Sequence, residues 1–418
     1  MRILIVADDA SSRFGGEAFL PFNYFRLLRL RKADVRLLVH DRNRPELTAQ
    51  FPEDLDRLLF VNDTRFHKLA FGLGRHLPRR VASLTTDFLI RLTTQFAQRR
   101  VIHGLLQARD LDVIHIPTPV SPKTPSMLFG FNSAVIMGPL NGGMEYPQAF
   151  RKAEGGLTRL VVGAGRRLAN LLNLIIPGKR RAHLIAVANC RTREALPNGV
   201  QGRVVELAEN GVDLAIWKPG LSDHRKDGAF RLVFVGRLVD WKALDIAIEA
   251  IHRLDVDTPI SFEIIGEGPM RESWEALVNA KGLGPVVKFS GWMSQQQCAL
   301  RLQQADAFLL PSLLECGGAV VLEAMAMGLP VVATAWGGPL DYLDETCGIL
   351  VPPRSRESLV EGFSTAIERL AGSPALCRLL GQAAHQRAKA RFDWDQKIDQ
   401  ILELYRMAAH DRTVARQS

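Results

Sequence analysis

Cysteine is scarce in this sequence and follows no pairing pattern. Five cysteines occur among 418 residues, and none forms a C-x-x-C pair with another. A disulfide framework would show cysteines in even-numbered, regularly spaced sets, and a zinc site would show closely spaced pairs. The sequence argues against both classes of protein, and a reducing cytoplasm is the expected compartment.

Long apolar runs are lacking as well. No stretch of 18 uncharged apolar residues occurs, which is about the length that a membrane-spanning helix needs. The opening MRILIVADDASSRFGG turns polar after about six apolar positions, too few for the apolar region of a secretory signal. We therefore expect a soluble or peripheral chain.

Two common nucleotide-binding signatures are missing. G-x-x-x-x-G-K-[ST] occurs nowhere, which argues against a P-loop NTPase. Gly266 and Gly268 follow a predicted strand, but Met270 and Arg271 come after them and the third glycine of G-x-G-x-x-G is absent. The segment is a poor dinucleotide signature.

The sequence does contain a sustained alternation of short apolar strands and helix-length segments. Its length favours two domains of roughly 200 residues each, and 47% apolar with 23% charged residues is a globular composition. The predicted strands are RILIVA, VRLLV and the segments 58–61, 113–116, 134–137, 184–188, 231–236, 259–266, 286–291, 307–311 and 330–334. This alternation is typical of doubly wound parallel sheets. We expect two Rossmann-like α/β domains that face a cleft.

Positive charge is concentrated in the first half of the chain. Residues 1–205 contain 31 Lys and Arg against 16 Asp and Glu, whereas the remainder contains 22 against 28. A basic surface favours anionic lipid, nucleic acid or a phosphorylated acceptor as partner, although an arginine-rich composition alone also produces such a count.

Two basic amphipathic stretches, 75–100 and 157–181, lie in that half. Each is either a core-facing helix with a solvated basic back or a surface that docks on an anionic membrane. The cations of the first stretch that would make this contact are Arg75, Arg79, Arg80, Arg91, Arg99 and Arg100.

Two cations follow the first predicted strand of the second half. Gly236 and Arg237 end the strand RLVFVG, and Lys242 comes five residues later, before the apolar helical run ALDIAIEAI. An arginine fork and a lysine point charge beside a helix N-terminus suit a diphosphate. Taken alone, the pair is more typical of solvated surface residues.

Two glutamates and two glycines lie in the segment ECGGAVVLEAMAMGLPVVAT, which begins at Glu315. Gly317 and Gly318 precede a helix predicted to start near Ala319, and Glu323 lies on its first turns. The free N–H groups and positive dipole end of that helix form an anion site. Two carboxylates at this spacing suit the vicinal hydroxyls of a sugar or ribose, although such spacing also occurs by chance.

The order of these motifs matches a known family. GRLVDWK, IIGEGP, ECGGAVVLEAMAMGLPVVAT and the GGP of 337–339 follow one another, and the N-G-V-D of 210–213 and the pair Gly15-Gly16 extend the match. The chain resembles, over essentially its whole length, the retaining nucleotide-sugar glycosyltransferases of the GT-B fold, in their group 1 or family-four class. The resemblance implies an acceptor-binding domain at 1–204, a nucleotide-sugar-binding domain at 205–392 and a C-terminal helix at 393–418 that packs back on the first domain.

The resemblance also implies roles for single residues. Arg237 and Lys242 would hold the donor diphosphate, Glu323 would bind the ribose hydroxyls, and Glu315 would contact the donor sugar. The remaining donor-binding positions are glycines that let the backbone approach the donor: Gly15, Gly16, Gly236, Gly266, Gly268, Gly317 and Gly318. The class keeps the anomeric configuration and needs no metal and no cofactor beyond the nucleotide sugar itself.

The acceptor side departs from the family pattern. Cys316 stands where the class usually has phenylalanine, and Pro117 stands where many members have a histidine that contacts the donor sugar. His115, in the strand DVIHIP, is a candidate for an acceptor-side role or else a histidine of the core. The segment MGPLNGGMEYP resembles a variant of bacterial polysaccharide glycosyltransferases and supplies four more candidates: Asn141, Gly142, Gly143 and Glu145.

These observations predict a retaining, metal-independent glycosyltransferase that moves a sugar to a hydroxyl of a lipid-linked or polysaccharide acceptor. We expect it in the cytoplasm, on the inner face of an anionic membrane and without a nucleic-acid partner. Two alternatives remain open. One is a GT-B nucleotide-sugar epimerase or soluble-sugar synthase, and the other is a catalytically idle scaffold that binds nucleotide sugar.

Overall fold

The structure of the chain, a computed structural model, divides into two compact units. It describes residues 1–13, 16–74, 86–108, 111–153, 168–220, 228–255 and 259–417. Unit 1 comprises residues 1–143, 160–209 and 398–418, and unit 2 comprises residues 144–159 and 210–397. Gly15, Arg75, Arg79 and Arg80 lie outside the described residues.

Unit 1 is built on seven parallel strands in the order β3-β2-β1-β4-β5-β6-β7. The strands are β1 Arg2–Val6, β2 Asp34–His40, β3 Leu58–Val61, β4 Val113–Ile116, β5 Ala134–Leu140, β6 Leu184–Val187 and β7 Arg203–Glu206. The helices are Phe19–Leu30, Arg44–Gln50, Arg65–Gly74, Thr86–Ala108, Cys190–Glu194 and one over 168–175. The strand order reverses between β1 and β4, and folds of this kind bind ligands at the carboxyl ends of the strands beside that reversal.

Unit 2 has six parallel strands in the order β10-β9-β8-β11-β12-β13. The strands are β8 Phe230–Val235, β9 Ile260–Ile265, β10 Val287–Gly291, β11 Ala307–Leu310, β12 Val331–Thr334 and β13 Gly348–Val351. The helices are Leu244–His252, Arg271–Ala280, Gln295–Leu302, Ala319–Ala326, Gly338–Tyr342, Arg356–Ala371 and Pro374–Arg391. The reversal lies between β8 and β11, so the loops after these two strands flank the expected ligand site.

The two parallel sheets confirm the predicted fold class, and they contain two strands that the sequence analysis missed. β7 and β13 are the outermost strands of their sheets. The end residues of β7, Arg203 and Glu206, are exposed, and the two middle residues of β13 are only partly buried. β7, RVVE, lacks the continuous apolar run that reveals a buried parallel strand, whereas β13, GILV, has a short one that the sequence analysis did not assign. The units divide after Glu209, a few residues beyond the expected position, because residues 203–206 still pair with β6.

Apolar strands form the core of unit 1. Leu4 and Val6 of β1, Ile114 of β4, Val135 of β5 and Ile185 of β6 are at most 1% exposed and belong to one packed cluster. Complete burial of one such side chain contributes about 1.5–3 kcal/mol to folding. The rigid sheet therefore fixes the positions of the loops at its carboxyl edge.

The C-terminal helix Trp394–Gln417 ends in unit 1. Ile398, Ile401 and Tyr405 are fully buried, as their spacing of three and four residues predicts for one helix face. Tyr405 Oη lies 2.7 Å from His115 Nδ1 of β4. This apolar face packs into the core of unit 1. Within the described ranges, no helix has the length and apolar character of a membrane span.

Candidate functional site

Close glycine contacts shape the carboxyl edge of the unit 2 sheet. The Gly236 N–H, directly after β8, donates to the Ile265 carbonyl at 3.0 Å. A Cβ on Gly266 would lie 1.9 Å from the Gly236 carbonyl oxygen, and a Cβ on Gly268 would lie 2.3 Å from that of Leu238. Gly266 also has a φ of +139°, a conformation that favours glycine. The two loops approach each other so closely that only glycine fits at positions 266 and 268.

Arg237 extends from this edge with an exposed side chain. In the part of the chain that the structure describes, its guanidinium has no hydrogen-bond or ion-pair partner. A guanidinium carries five N–H donors in a planar fork, so Arg237 can bind two oxygens of a phosphate at once. The side chain is therefore available to an anionic ligand.

Lys242 and Glu315 form a largely buried ion pair. Lys242 Nζ donates to Glu315 Oε2, and the two side chains are 12% and 13% exposed. The sequence predicted separate contacts for them, with the diphosphate and with the donor sugar. The structure brings them together, so an anion that binds Lys242 must share the ammonium with Glu315 or release it.

Glycines of the loop after β12 hold the loop that carries Glu315. The Gly338 N–H donates to the Glu315 carbonyl at 2.7 Å. A Cβ on Gly337 would lie 2.3 Å from that carbonyl oxygen, and a Cβ on Gly338 would lie 2.4 Å from the Gly317 carbonyl oxygen. The sequence marked 337–339 only as part of a motif, and the structure shows that these glycines position the Glu315 loop.

Glu323 lies on the helix Ala319–Ala326. This helix starts at Gly318, which has a φ of 72° and provides no side-chain cap. Burial raises the pKa of the Glu323 carboxyl to about 7, and none of the described residues hydrogen-bonds to it. Burial, with the Glu323 charge as a smaller contribution, also raises the pKa of the Cys298 thiol to about 12. Because this pKa lies near neutral pH, part of the Glu323 carboxyl is ionised under neutral conditions. An ionised carboxyl without a partner can accept hydrogen bonds from ligand hydroxyls.

In unit 1, the loop after β1 is held by hydrogen bonds to the Glu46 carboxylate. Ser11 Oγ donates to one oxygen of Glu46 at 2.6 Å, and the Ser12 N–H donates to the other at 2.8 Å. Burial opposes ionisation of this carboxyl, but these bonds lower the pKa of Glu46. Gly16 has a φ of 73°, and a Cβ there would meet nothing within 4 Å. The clamped loop thus presents open backbone at Gly16, while its neighbour Gly15 lies outside the described residues.

His115 is fully buried in β4. Its Nε2 lies 2.7 Å from the Gly138 carbonyl oxygen, and its Nδ1 lies 2.7 Å from Tyr405 Oη. Tyr24 and Tyr405 both pack edge-on against the ring. These contacts are those of a core histidine, which is one of the two roles that the sequence left open.

Asn141, Gly142 and Gly143 follow β5 in unit 1, where the first two are buried and Gly143 is exposed. Asn141 is 2% exposed, and its Nδ2 donates to Glu209 Oε2 at 2.6 Å. The Gly142 N–H donates to Thr192 Oγ1 at 3.1 Å. Gly143 has a φ of +75°. The loop is therefore fixed by unit 1 itself.

Glu145 belongs to the segment 144–159, which is part of unit 2. Its backbone carbonyl accepts from Trp336 Nε1 at 2.8 Å, and its carboxylate lies 2.9 Å from Arg151 Nη2. The sequence grouped Glu145 with Asn141 as an acceptor-side candidate, but the structure places the two residues in different units.

The sequence analysis missed paired charges at the carboxyl edge of the unit 1 sheet. Asp8 lies 3.4 Å from Arg91 Nε, and Asp9 accepts two hydrogen bonds from Arg42 at 2.5 and 2.6 Å. Burial raises the pKa of Asp8 to about 6, although Arg91 acts to lower it. Two carboxylates directly after the strand RILIVA were the signal that could have identified this group.

A buried lysine lies in the same unit. Lys179 is 2% exposed, and its Nζ donates to the Ser121 carbonyl. Burial, together with the charges of Arg91 and Lys123, lowers the pKa of Lys179 to about 7. Among the described residues, no three His, Cys, Asp or Glu side chains converge as metal ligands.

Comparison with known proteins finds a family model and curated relatives that resemble part of this chain. Residues 222–387 match the model of the family "Glycosyl transferases group 1". The chain is 30% identical over 203 residues to a glycogen synthase of Mycobacterium tuberculosis, covering 48% of each protein. It is 32% identical over 228 residues to a D-inositol 3-phosphate glycosyltransferase of Kribbella flavida, covering 50% of this chain and 52% of the relative. The chain thus spans about half the length of the curated relatives it matches.

Solved structures match over nearly the full length. A sucrose-phosphate synthase from Thermosynechococcus elongatus gives a TM-score of 0.68 at 19% identity, covering 97% of this chain and 99% of that one. The Anabaena protein HepE, solved in complex with UDP, gives 0.65 at 18% identity with the same coverage. The group 1 glycosyl transferase model therefore matches a large part of unit 2, and the solved structures share the GT-B fold of two Rossmann-like units.

Proposed function

We propose that the protein transfers a sugar from a nucleotide-diphosphate sugar to a hydroxyl of a lipid-linked or polysaccharide acceptor. The observation that carries this proposal is the carboxyl edge of unit 2. There Arg237, the Lys242–Glu315 pair and Glu323 follow β8 and β11, beside a helix N-terminus without a side-chain cap. A diphosphate needs cations and N–H donors, and a ribose or sugar needs carboxylate acceptors. This edge supplies both.

The names of relatives support a uridine or related nucleotide as donor. HepE has been solved with UDP and also with UDP-glucose. The curated relatives include a glycogen synthase and a D-inositol 3-phosphate glycosyltransferase, whose names refer to a polysaccharide and to a polyol phosphate. UDP is therefore the first probe to use.

In the proposed reaction, the bond from the anomeric carbon to the diphosphate breaks and a bond to the acceptor oxygen forms. The acceptor proton leaves with the released diphosphate, and the configuration is kept. Negative charge grows on the diphosphate as it departs, where Arg237 and Lys242 neutralise it in place of a metal. One preorganised group of this kind is worth about 2.7–4 kcal/mol of barrier.

Exposed apolar side chains on unit 1 support a membrane-bound acceptor. On the helix Arg65–Gly74, Leu69 and Leu73 are 67% and 65% exposed, and on the helix Thr86–Ala108, Phe96 is 49% exposed. Further exposed side chains on the helix over 168–175 are Leu168, Leu171, Leu174 and Ile175. We refer to these seven residues together as the apolar ridges. Apolar patches next to cations are typical of surfaces that bind the membrane interface.

We expect the apolar ridges to strengthen membrane binding beyond what the arginines provide. Their leucine, isoleucine and phenylalanine side chains would insert into the membrane interface, while the arginines attract anionic lipid. Docking of unit 1 on the cytoplasmic leaflet would bring a lipid-linked acceptor to the enzyme. The proposed location is accordingly the inner face of the plasma membrane.

The test is turnover with product analysis. Purified protein is incubated with a radiolabelled UDP-sugar and a bacterial lipid extract, and the products are separated into lipid, polymer, soluble sugar and altered donor. Label in lipid or polymer supports the proposal. A changed donor sugar without any acceptor identifies an epimerase, and a free sugar product identifies a soluble-sugar synthase like the neighbour from Thermosynechococcus. Donor binding without turnover on any acceptor identifies an idle scaffold.

A further inference from the structure

A cavity of about 300 Å³ lies at the amino end of the unit 2 sheet. Its walls come from the first residues of β8, β9 and β10 and from the end of the helix Gln295–Leu302. Arg231 and Val233, on its wall, precede Gly236 by five and three positions, and Gly236 follows β8 directly. A strand advances about 3.3 Å per residue, so these two wall residues lie roughly 16 and 10 Å along the strand from Gly236. It shares none of the residues assigned to the donor.

The sheet around this cavity carries polar side chains. Ser261 and Glu263 of β9 line it together with Phe262, which is 1% exposed. Lys288 of β10 is the register partner of Glu263, and Ser290 Oγ donates to the Glu263 carboxylate. By contrast, every residue of β11 and β12 is buried. β10 is the outermost strand of this sheet, and its residues after Val287 are exposed or partly buried, so the cavity lies at the less covered side of the sheet.

Cations outnumber carboxylates on the cavity wall. Arg231, Lys288 and Arg301 line it together with a single carboxylate, that of Glu263. Glu263 Oε1 lies 3.6 Å from Arg301 Nε, which orients the guanidinium and leaves its other N–H donors outside this pair. Asp306, which follows the cavity wall, accepts from the Arg231 backbone N–H at 2.7 Å. The wall has a positive excess, although the second half of the chain has 22 cations against 28 acids.

We propose that this cavity binds a small phosphomonoester of monosaccharide size. Arg301 and Lys288 bind the phosphate oxygens, the guanidinium through two parallel N–H donors. The Ser261 hydroxyl and the Gln304 amide bind hydroxyls of the attached sugar. A volume of about 300 Å³ is at the lower end of the range for small-molecule pockets, which suits a sugar phosphate better than a nucleotide sugar. Lys288 and Gln304 are exposed, so the ligand enters from solvent.

The test measures binding of glucose 6-phosphate, inorganic phosphate and glucose by titration calorimetry. Wild type is compared with the double variant Lys288→Ala/Arg301→Ala and with the donor-edge control Arg237→Ala. We expect saturable binding of glucose 6-phosphate, weaker binding of inorganic phosphate and none of glucose. The double variant should bind glucose 6-phosphate at least about tenfold more weakly, because charge-assisted hydrogen bonds are lost. Arg237→Ala should bind it as wild type does.

A second variant separates the cavity from general surface charge. Ser261→Leu keeps every cation but fills part of the cavity, so it should weaken glucose 6-phosphate more than inorganic phosphate. Far-UV circular dichroism checks that each variant is folded.

Three results would overturn the proposal: no saturable binding at millimolar ligand, unchanged binding in the double variant, or loss of binding in Arg237→Ala. The measurement uses no nucleotide and no acceptor, so its outcome is independent of the proposed glycosyltransferase activity.

Discussion

The carboxyl edges of the two sheets use charge in different ways. In unit 2, Arg237 is exposed and has no partner in the described part of the chain. In unit 1, Asp8 lies beside Arg91, and Asp9 accepts two hydrogen bonds from Arg42. An available cation gains most from an anionic ligand, whereas charges that are already paired offer directed hydrogen bonds with little net charge. The contrast supports the proposed role of Arg237 in binding the donor diphosphate at the unit 2 edge.

The largest effect should come from the cations of unit 2. Arg237→Ala and Lys242→Ala should each lower kcat/KM for sugar transfer at least about a hundredfold, because both face the charge that grows on the leaving diphosphate. Arg356→Ala is the matched control, since this arginine of the same unit pairs with Asp245 and Glu249 on the surface. Steady-state kinetics on folded protein decide the matter. A wild-type rate in Arg237→Ala would show that the unpaired cation of unit 2 does not act on the leaving diphosphate.

Membrane binding should depend on unit 1. Leu69→Glu combined with Leu73→Glu should weaken sedimentation with anionic vesicles by about ten- to a hundredfold, because two exposed leucines no longer enter the interface. Leu379→Glu is the control, being 64% exposed on unit 2.

Salt separates the two contributions to that binding. At 1 M salt the Debye length is about 3 Å, so the arginines contribute little and the remaining binding reports on the apolar ridges. If Leu379→Glu releases the protein as readily as the unit 1 variant does, docking does not belong to unit 1.

The pH dependence of donor binding should come from Glu323. Burial raises its pKa to about 7, so the ionised fraction rises about tenfold between pH 6 and pH 8. The affinity for UDP should rise by about the same factor if the carboxylate accepts hydrogen bonds from the ribose. Titration calorimetry at both pH values checks this, with Glu323→Gln as the variant that should lose the dependence. A deoxyribose analogue that shows the same dependence would contradict the ribose contact.

The same carboxyl affects folding. Its folded pKa lies above the ordinary value of 4.5, so the folded state binds more protons than the unfolded state between these two values. The free energy of unfolding should therefore fall as the pH rises through this window, and Glu323→Gln should remove that part of the fall.

The smallest effect on activity should come from His115 in unit 1. His115→Asn should lower the free energy of unfolding by about 1–3 kcal/mol, because Gly138 and Tyr405 lose a buried hydrogen-bond partner. Below the melting transition, kcat/KM should stay within a few-fold of wild type. Tyr405→Phe is the matched variant, since it removes one of the same hydrogen bonds. A much larger loss of activity in His115→Asn than in Tyr405→Phe would give the histidine a role in the acceptor site.

The fold class and the composition of the unit 2 edge could be predicted from the amino-acid sequence. Each of these features is local: an apolar strand such as RLVFV is followed within a few residues by the glycine and cation that extend from it. β7 was missed because only two valines separate its charged ends, whereas β13, GILV, was missed although its short apolar run is visible in the sequence.

Contacts between side chains that are distant in sequence could not be predicted and depend on the tertiary packing. Lys242 and Glu315 are separated by 73 positions, and His115 and Tyr405 by 290. The contact of Gly266 with the Gly236 carbonyl likewise joins two loops that follow different strands. Such pairs depend on strand order and on the crossings between strands, which bring distant segments to one sheet edge. Short-range pattern fixes the residue types at each strand end, whereas long-range packing fixes whether a charge there is buried, paired or free to bind a ligand.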